Sequence, residues 1–269
     1  MDPDRNILLV GCGNMGSALL RGWLAQGIGA RQLHVIDGQD GVIEQTRSLG
    51  VEASSSLAAD IAQPDVIVFA VKPQQLDTLV PQFADLAARG AVVLSVAAGK
   101  PIAAYERLLG GAPMIVRAMP NTPAAIRRGI TALVANSAVG SEQKVLCERL
   151  LSAVGDVVWL DDESLMDAVT AISGSGPAYV FLLIETLAAA AQREGLTADL
   201  ASKLALATVA GAGAYAAQSP IEPGRLREQV TSPGGTTQAA LEVLMGEGGL
   251  ETLVRKAVRA AAARSRELG

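Results

Sequence analysis

Two stretches of this chain carry residue types that could do chemistry, and both are suited to holding anions. Near the N-terminus, GCGNMG places Gly11, Gly13 and Gly16 directly after an apolar run at 7–10 and ahead of Met15, Leu19 and Trp23 at four-residue spacing. Strand, turn and helix in that order form the dinucleotide fingerprint: Gly11 makes the turn, Gly13 admits the pyrophosphate and Gly16 permits close packing of the helix. In the C-terminal part, TSPGGTT at 231–237 feeds a Pro-Gly-Gly turn and two threonines into a new helical pattern at 238–244. Exposed glycine amides, a threonine hydroxyl and the positive end of a helix suit a small anion, although a capped tight turn would use the same residues. A phosphate site and a carboxylate site in one chain suggest a cofactor meeting a substrate.

Asp37 stands at the end of the second expected strand, where an acid commonly takes the adenosine ribose hydroxyls and disfavours a 2'-phosphate; an Asp-Gly turn is the plainer reading. Asp37 therefore leans toward NADH, while Arg31 and Arg47 are cations that could accommodate a phosphate. Acid–base chemistry is poorly supplied. The one histidine, His34, falls inside a strand, and Lys72 in AVKP and Tyr179 at the start of an apolar helix read better as a cofactor-edge residue and a core or interface residue. Hydride transfer to or from an alcohol usually needs such a partner. A protonated imine needs none, because its positive nitrogen already makes the adjacent carbon electrophilic. Cys12 is expected to fill a crowded loop position without chemistry.

These residues need a frame. Apolar runs at 7–10, 33–36, 65–71, 92–96 and 114–119 alternate with helical patterns, the signature of a parallel sheet covered on both faces. Runs at 130–135 and 157–160, flanking a helix at 142–153, should extend it. From about Asp162 strand patterns stop, and helices are expected near 164–171, 177–194, 198–217, 222–230, 238–244 and 248–267. The fold class is thus an α/β N-terminal Rossmann domain, a mostly parallel doubly wound sheet at 1–161, followed by an all-α dimerisation and substrate domain at 162–269. GSGP, with Ser173, Ser175 and Gly176, should shape the domain junction or start a helix. The second and third of the late helices are apolar on nearly every face, notably Val180 to Ile184 and Leu187. Such helices must be covered on all sides, which a bundle of about a hundred residues cannot do alone, so a second copy of the chain is expected.

Composition narrows the class. With 269 residues and 50% hydrophobic content the chain can build a core, and a net charge of −5 with scattered basic residues argues against a nucleic-acid partner. Two cysteines, Cys12 and Cys147, make neither a disulfide framework nor a metal site, which fits a reduced, cytoplasmic setting. The first residues carry acids and no signal-peptide pattern. The greasiest run, 178–191, is interrupted by Glu185 and Thr186 and reads as a buried helix of a soluble protein, so no membrane partner is expected.

GCGNMG, AVKPQ, SVAAG, RAMPNTP, AVTAISGSGPAY and VTSPGGTTQAAL, in this order, resemble the delta-1-pyrroline-5-carboxylate reductase family from Ile7 to the C-terminus. The resemblance implies reduction of the cyclic imine pyrroline-5-carboxylate to L-proline with NADPH or NADH, the last step of proline biosynthesis. It also implies an obligate homodimer, often built into rings of dimers. It assigns Gly11, Cys12, Gly13, Asn14, Met15 and Gly16 to the pyrophosphate and Asp37 to the adenosine ribose. Ala70, Val71, Lys72, Pro73, Ala97 and Ala98 fall to the ribose and nicotinamide side. Ser56 stands near an adenine-side Asn of some members, and Gln229 where some carry a cofactor-touching Asn. Gly235, Thr236 and Thr237 match the loop that grips the substrate carboxylate, with the Thr237 hydroxyl near the ring nitrogen as the catalytic group, and Glu163 matches an acid of the proline site, or else a first-turn helix acid. No metal is implied. A beta-hydroxyacid dehydrogenase shares the layout but would carry a catalytic Lys with a downstream Asn on its long helix, and 177–194 has neither. Another imine reductase, or a cofactor-binding sensor without turnover, is the remaining alternative.

Overall fold

The computed structural model describes residues 5–268. The chain forms two compact units, one of residues up to Gly174 together with 262–268, the other Ser175–Ala261.

The first unit is built on eight strands: β1 (Ile7–Val10), β2 (Leu33–Ile36), β3 (Glu52–Ser54), β4 (Val66–Phe69), β5 (Val92–Ser95), β6 (Ile115–Met119), β7 (Gly129–Ala135) and β8 (Gly155–Trp159). They lie side by side in the order β3-β2-β1-β4-β5-β6-β7-β8. The first six are parallel, in the doubly wound order whose reversal point lies between β1 and β4. β7 then pairs antiparallel with β6, and β8 runs parallel to β7, so the last two strands reverse the sheet direction. The helices of this unit are α1 (Asn14–Ala25), α2 (Asp40–Ser48), α3 (Pro73–Leu79), α4 (Ala84–Ala88), α5 (Ile102–Leu109), α6 (Ser141–Leu151) and α7 (Met166–Val169).

Unbroken apolar strands are what a sheet covered on both faces requires, and side chains alternate between those faces. Ile7, Leu9, Val66, Val68, Val92 and Leu94 pack with Leu19 and Trp23 of α1 and Leu150 of α6. Leu8, Val10, Ile67, Phe69 and Val93 pack on the other side with Leu76 of α3 and Tyr105 of α5. The Trp23 indole N–H donates to the Leu150 carbonyl at 2.8 Å, so the largest buried side chain keeps its one donor satisfied. The unexpected strand is β3, three residues with no apolar run, held at the sheet edge by its ladder with β2. The run at 65–71 stops as a strand at Phe69, which leaves Ala70 and Val71 in the loop beyond it.

In place of one helix at 164–171, a 3₁₀ turn (Glu163–Leu165), α7 and a π turn (Thr170–Gly174) follow one another. A Cβ on Gly174 would lie 2.5 Å from the Met119 terminal methyl, so the glycine allows this turn to press on the end of β6.

The second unit holds α8 (Gly176–Arg193), α9 (Ala198–Gln218), α10 (Pro223–Gln229), α11 (Thr236–Leu244) and most of α12 (Leu250–Leu268). α8 does not appear as the buried helix its sequence led us to expect: Ala188 is its one buried residue, and Val180, Phe181, Leu182, Leu183 and Leu187 are exposed. Leu200, Leu204 and Leu206 of α9 are exposed as well. Among the described residues no element covers these faces of the two helices. Two stretches, Glu163–Arg193 and Ala198–Gln218, are long and apolar enough to cross a bilayer by length and composition.

Candidate active site

The glycine loop leaves β1 and enters α1 within three residues, and its three glycines are required for three different reasons. Gly11 has φ +90°, and a Cβ there would stand 2.6 Å from Val71 Cγ1 and 2.8 Å from the Ala70 carbonyl oxygen. A Cβ on Gly16 would overlap the Gly11 carbonyl oxygen, so helix and turn touch backbone to backbone. Around Gly13 a Cβ would meet nothing within 4 Å. That glycine faces open space where a phosphate group could approach, and it is the N-cap of α1. The first helical bond runs from Ser17 N–H to the Gly13 carbonyl at 2.8 Å, so the amides of Asn14, Met15 and Gly16 precede the ladder and have no intrahelical acceptor. With the helix dipole they form an anion site.

A cleft of about 400 Å³ continues from this loop, lined by Val10, Gly11, Gly13, Ile36, Asp37, Gly38, Gln39, Ser55, Ala70, Val71, Lys72 and Gln75. The Asp37 carboxylate lines it just beyond the end of β2. It accepts from the Cys12 N–H at 2.8 Å and from the Gln39 N–H at 3.0 Å, so it also braces the glycine loop. Among the described residues neither Arg31 nor Arg47 forms an ion pair with it. Arg47 spends Nε and Nη2 on the Ala53 carbonyl at 3.1 and 2.8 Å. Arg31 lies in the turn before β2, beside a different hollow lined by Asn6, His34 and Glu52 at the amino ends of the strands. Ser55 lines the cleft, while Ser56 is exposed and its carbonyl accepts from the Ser54 hydroxyl at 2.9 Å.

Cys12 is buried, and burial pushes its thiol up, only partly offset by a hydrogen bond with Thr46. It fills the crowded position expected of it. His34 is half-buried, its Nε2 2.9 Å from the hydroxyl of Ser54, the last residue of β3.

After β5, Ala97 is buried and Ala98 exposed. Glu163 reaches the exit of this loop: its Oε1 accepts from the Ile102 N–H at 2.9 Å and from Arg117 Nη1 at 2.7 Å. Arg117 is only 8% exposed although it sits in a core strand, so Glu163 is its counter-charge. The Ser95 hydroxyl bonds the Tyr105 hydroxyl and accepts from the Ala97 N–H at 3.2 Å. Burial, eased by the Ser95 bond, pushes the Tyr105 phenol up to about 12. Asn121 spans the Ile130 N–H at 3.0 Å and the Ser173 hydroxyl at 3.3 Å. Arg117, Tyr105, Ser95 and Asn121 escaped the sequence reading, although a charge inside the apolar run IVRAM was a visible signal.

In the second unit, Gly235 is the N-cap of α11 and no side chain caps that helix. Gly234, at φ +69°, donates its N–H to Gln238 Oε1 at 2.7 Å, and the Gly235 N–H donates to the Ser232 carbonyl at 3.0 Å. The Gly235 amide is therefore occupied; the first helical bond runs from the Ala239 N–H to the Gly235 carbonyl at 3.3 Å, so the donors left at this terminus are the amides of Thr236, Thr237 and Gln238. Thr236 is exposed and Thr237 half-buried. Gln229, the last residue of α10, is exposed. The structure thus gathers the glycine loop, Asp37, Ala70, Val71 and Lys72 around one cleft, and describes Gly235, Thr236, Thr237 and Gln229 in a separate unit.

Residues 163–268 match the pyrroline-5-carboxylate reductase dimerisation family, and residues 6–99 match the coenzyme F420-dependent NADP oxidoreductase family. A Pseudomonas aeruginosa protein named pyrroline-5-carboxylate reductase is 42% identical over 97% of this chain and 96% of its own length. The chain belongs to the pyrroline-5-carboxylate reductase family. Among solved structures, a pyrroline-5-carboxylate reductase from Coxiella burnetii superposes with a TM-score of 0.93 at 38% identity, covering 98% of each chain. The Plasmodium falciparum pyrroline carboxylate reductase, solved with NADP bound, gives 0.84 at 29% identity over 99% of each chain. Membership of this family accounts for the Rossmann sheet followed by helices with uncovered apolar faces, since the matched C-terminal family is one of dimerisation.

Proposed function

We propose that the chain reduces 1-pyrroline-5-carboxylate to L-proline with NADPH or NADH, as a cytoplasmic enzyme of proline biosynthesis that works as an obligate homodimer. The observation that carries this reading is colinearity over 97% of the chain with a relative of that name, in a chain that keeps a glycine-lined cleft open at Gly13. The fit to a dinucleotide rests on that opening and on the unpaired amides that begin α1. When bound, the dihydronicotinamide supplies a hydride to C5 of the substrate imine.

The residues divide the remaining work. Gly11, Cys12, Gly13, Asn14, Met15 and Gly16 hold the pyrophosphate by backbone, and Asp37 takes the adenosine ribose with Ser56 and Gln229 as outlying contacts. Ala70, Val71, Lys72, Pro73, Ala97 and Ala98 border the nicotinamide half. The amides of Thr236 and Thr237 at the N-terminus of α11 hold the substrate carboxylate, Gly235 shapes their approach, and the Thr237 hydroxyl orients the ring nitrogen. Glu163 keeps Oε2 without a protein partner among the described residues and has a side chain 29% exposed, which leaves that oxygen for the substrate side. No acid or base is needed beyond the substrate's own protonated nitrogen, so orientation and electrostatics supply the rate. In this reading the cofactor functions reside in 1–161 and the substrate and dimer functions in 162–269.

The exposed faces of α8 and α9 are read as the surface for a second copy rather than for lipid, because the matched dimerisation family spans both helices. Dimers may be counted by light scattering, which also reveals any ring of dimers. The function itself is tested by initial rates of NADH and NADPH oxidation with pyrroline-5-carboxylate, and absence of turnover with both cofactors refutes it in favour of a sensor. Thr237→Ala should lower kcat/KM by about tenfold or more, roughly 1.4 kcal/mol, with little change in Tm, because that hydroxyl caps nothing. Unchanged kcat/KM in the folded variant removes Thr237 from the catalytic machinery.

A further inference from the structure

The loop between β5 and α5, residues 96–101, is fastened at both ends by polar side chains of the first unit. At its entry, the Ser95 hydroxyl accepts from the Ala97 N–H at 3.2 Å and is itself held by the Tyr105 hydroxyl, with Ser95 0% and Tyr105 1% exposed. At its exit, Glu163 Oε1 accepts from the Ile102 N–H at 2.9 Å, and that carboxylate is fixed by Arg117 at 2.7 Å. Between the two anchors, Lys100 reaches Asp77 on α3 at 3.0 Å. Gly99, at φ +84°, leaves so little room that a Cβ would stand 3.2 Å from the Leu268 carbonyl oxygen.

A loop lacking a role could end on ordinary turn hydrogen bonds. Here a charged arginine is buried in a core strand, at a desolvation cost of several kcal/mol per ion, and its ion-pair partner among the described residues is the carboxylate that ends this loop. The sheet order says what lies over it. The pyrophosphate site is at β1 and Asp37 draws the adenosine toward β2, so the nicotinamide half must extend the other way, over the carboxyl ends of β4 and β5.

We propose that Glu163 with Arg117, and Tyr105 with Ser95, are positioning residues that hold residues 96–101 rigid against the nicotinamide ring. This rests on the dinucleotide reading of the cleft. Hydride transfer depends steeply on the placement of the donor carbon, so a loop free to move by about 1 Å could cost a hundredfold in rate. Glu163 thereby serves the cofactor loop through Oε1, in addition to whatever its second oxygen touches.

The test compares NADH with ADP-ribose, which contains the adenosine and pyrophosphate but no nicotinamide. Two variants loosen the loop independently. Glu163→Ala removes the exit anchor; the double variant Ser95→Ala/Tyr105→Phe removes the entry anchor while leaving neither hydroxyl buried without its partner. In the cofactor-free enzyme, hydrogen exchange should accelerate at the Ile102 amide in the first variant and at the Ala97 amide in the second. By calorimetry, each should bind ADP-ribose within about twofold of the wild type but NADH about fivefold or more weakly. Equal weakening of both ligands, or of neither, in a folded variant overturns the positioning role, and the double variant decides the matter if Glu163→Ala fails to fold. A wild-type protein that binds neither ligand overturns the dinucleotide reading and this proposal with it. One that binds both, with variants that do not discriminate, leaves the reading standing and removes only the proposal.

Discussion

Replacing Asp37 by serine should move the enzyme's preference toward NADPH, and Coulomb repulsion sets the size of the shift. The Asp37 carboxylate lines the cleft beyond the end of β2, braced by the Cys12 and Gln39 amides, and Asp40 opens α2 three residues on. Among the described residues neither Arg47, which donates to the Ala53 carbonyl, nor Arg31, which lies before the start of β2, forms an ion pair with Asp37. A 2'-phosphate of charge about −2 at about 5 Å from the carboxylate, in an effective dielectric of about 40–80, is repelled by about 2–3 kcal/mol. Screening at physiological salt roughly halves this, to about 1–2 kcal/mol. Wild-type kcat/KM for NADH should therefore equal or exceed that for NADPH, and Asp37→Ser should raise the NADPH/NADH ratio about 5- to 30-fold. Asp37→Asn, which keeps an acceptor for the Cys12 amide, separates loss of charge from loss of the loop brace. Initial rates with both cofactors at low and high salt provide the assay. A wild-type enzyme with a clear preference for NADPH, and a ratio that does not move in Asp37→Ser, would show that the carboxylate does not face the phosphate.

Gly13→Ala should leave Tm unchanged yet weaken NADH binding by about tenfold or more, ~1.4 kcal/mol, because its methyl enters open cleft. Gly16→Ala should instead lower Tm, since its methyl meets the Gly11 carbonyl; calorimetry and thermal melts distinguish the two. Cys147 is buried, and burial pushes its thiol up from 9.0 to about 12. The unfolded chain therefore loses that proton first, and stability should fall as pH rises from about 9 toward 12. Between pH 8.5 and 10.5 the wild type should lose about 2 kcal/mol more than Cys147→Ala in urea titrations, and parallel curves would refute the assignment. An interlocked pair covering α8 and α9 should bury more than about 2,000 Å², so Phe181→Asp should abolish the dimer; light scattering that finds an active monomer at micromolar concentration would sink this expectation.

The sheet and the cofactor loop could be read in advance because their signals are local. Four apolar residues after Asn6 and three glycines at fixed spacing determine β1, the turn and α1 within a score of positions. The edge strand β3 carries no such signal: Glu52–Ser54 becomes a strand because β2 offers it hydrogen-bonding groups, which is a tertiary event. The direction of β7 and β8 was equally hidden, since an apolar run looks the same in a parallel and an antiparallel ladder. At the site, Glu163 was recognisable as an acid of interest, but its partner Arg117 lies 46 residues earlier, and ion pairs over such distances have no sequence period. The motif TSPGGTT announced free amides, yet which of them are free depends on Ser232 having taken the Gly235 donor, a detail of turn geometry.

The last turn of α12 belongs to the first unit. Ser265 donates its hydroxyl to Asp167 at 2.6 Å, and the Leu268 carbonyl lies where a side chain on Gly99 would have to go. The order of synthesis gives this a consequence. A ribosome emits the Rossmann sheet first, and its strands can pair as they emerge. The unit that contains them is finished only when residues 262–268 have been translated, after the whole of Ser175–Ala261. A nascent or C-terminally trimmed chain would thus own a complete pyrophosphate loop while the stretch at 96–101 still lacked its neighbour, so the ability to grip a dinucleotide should arise during synthesis before the ability to align one.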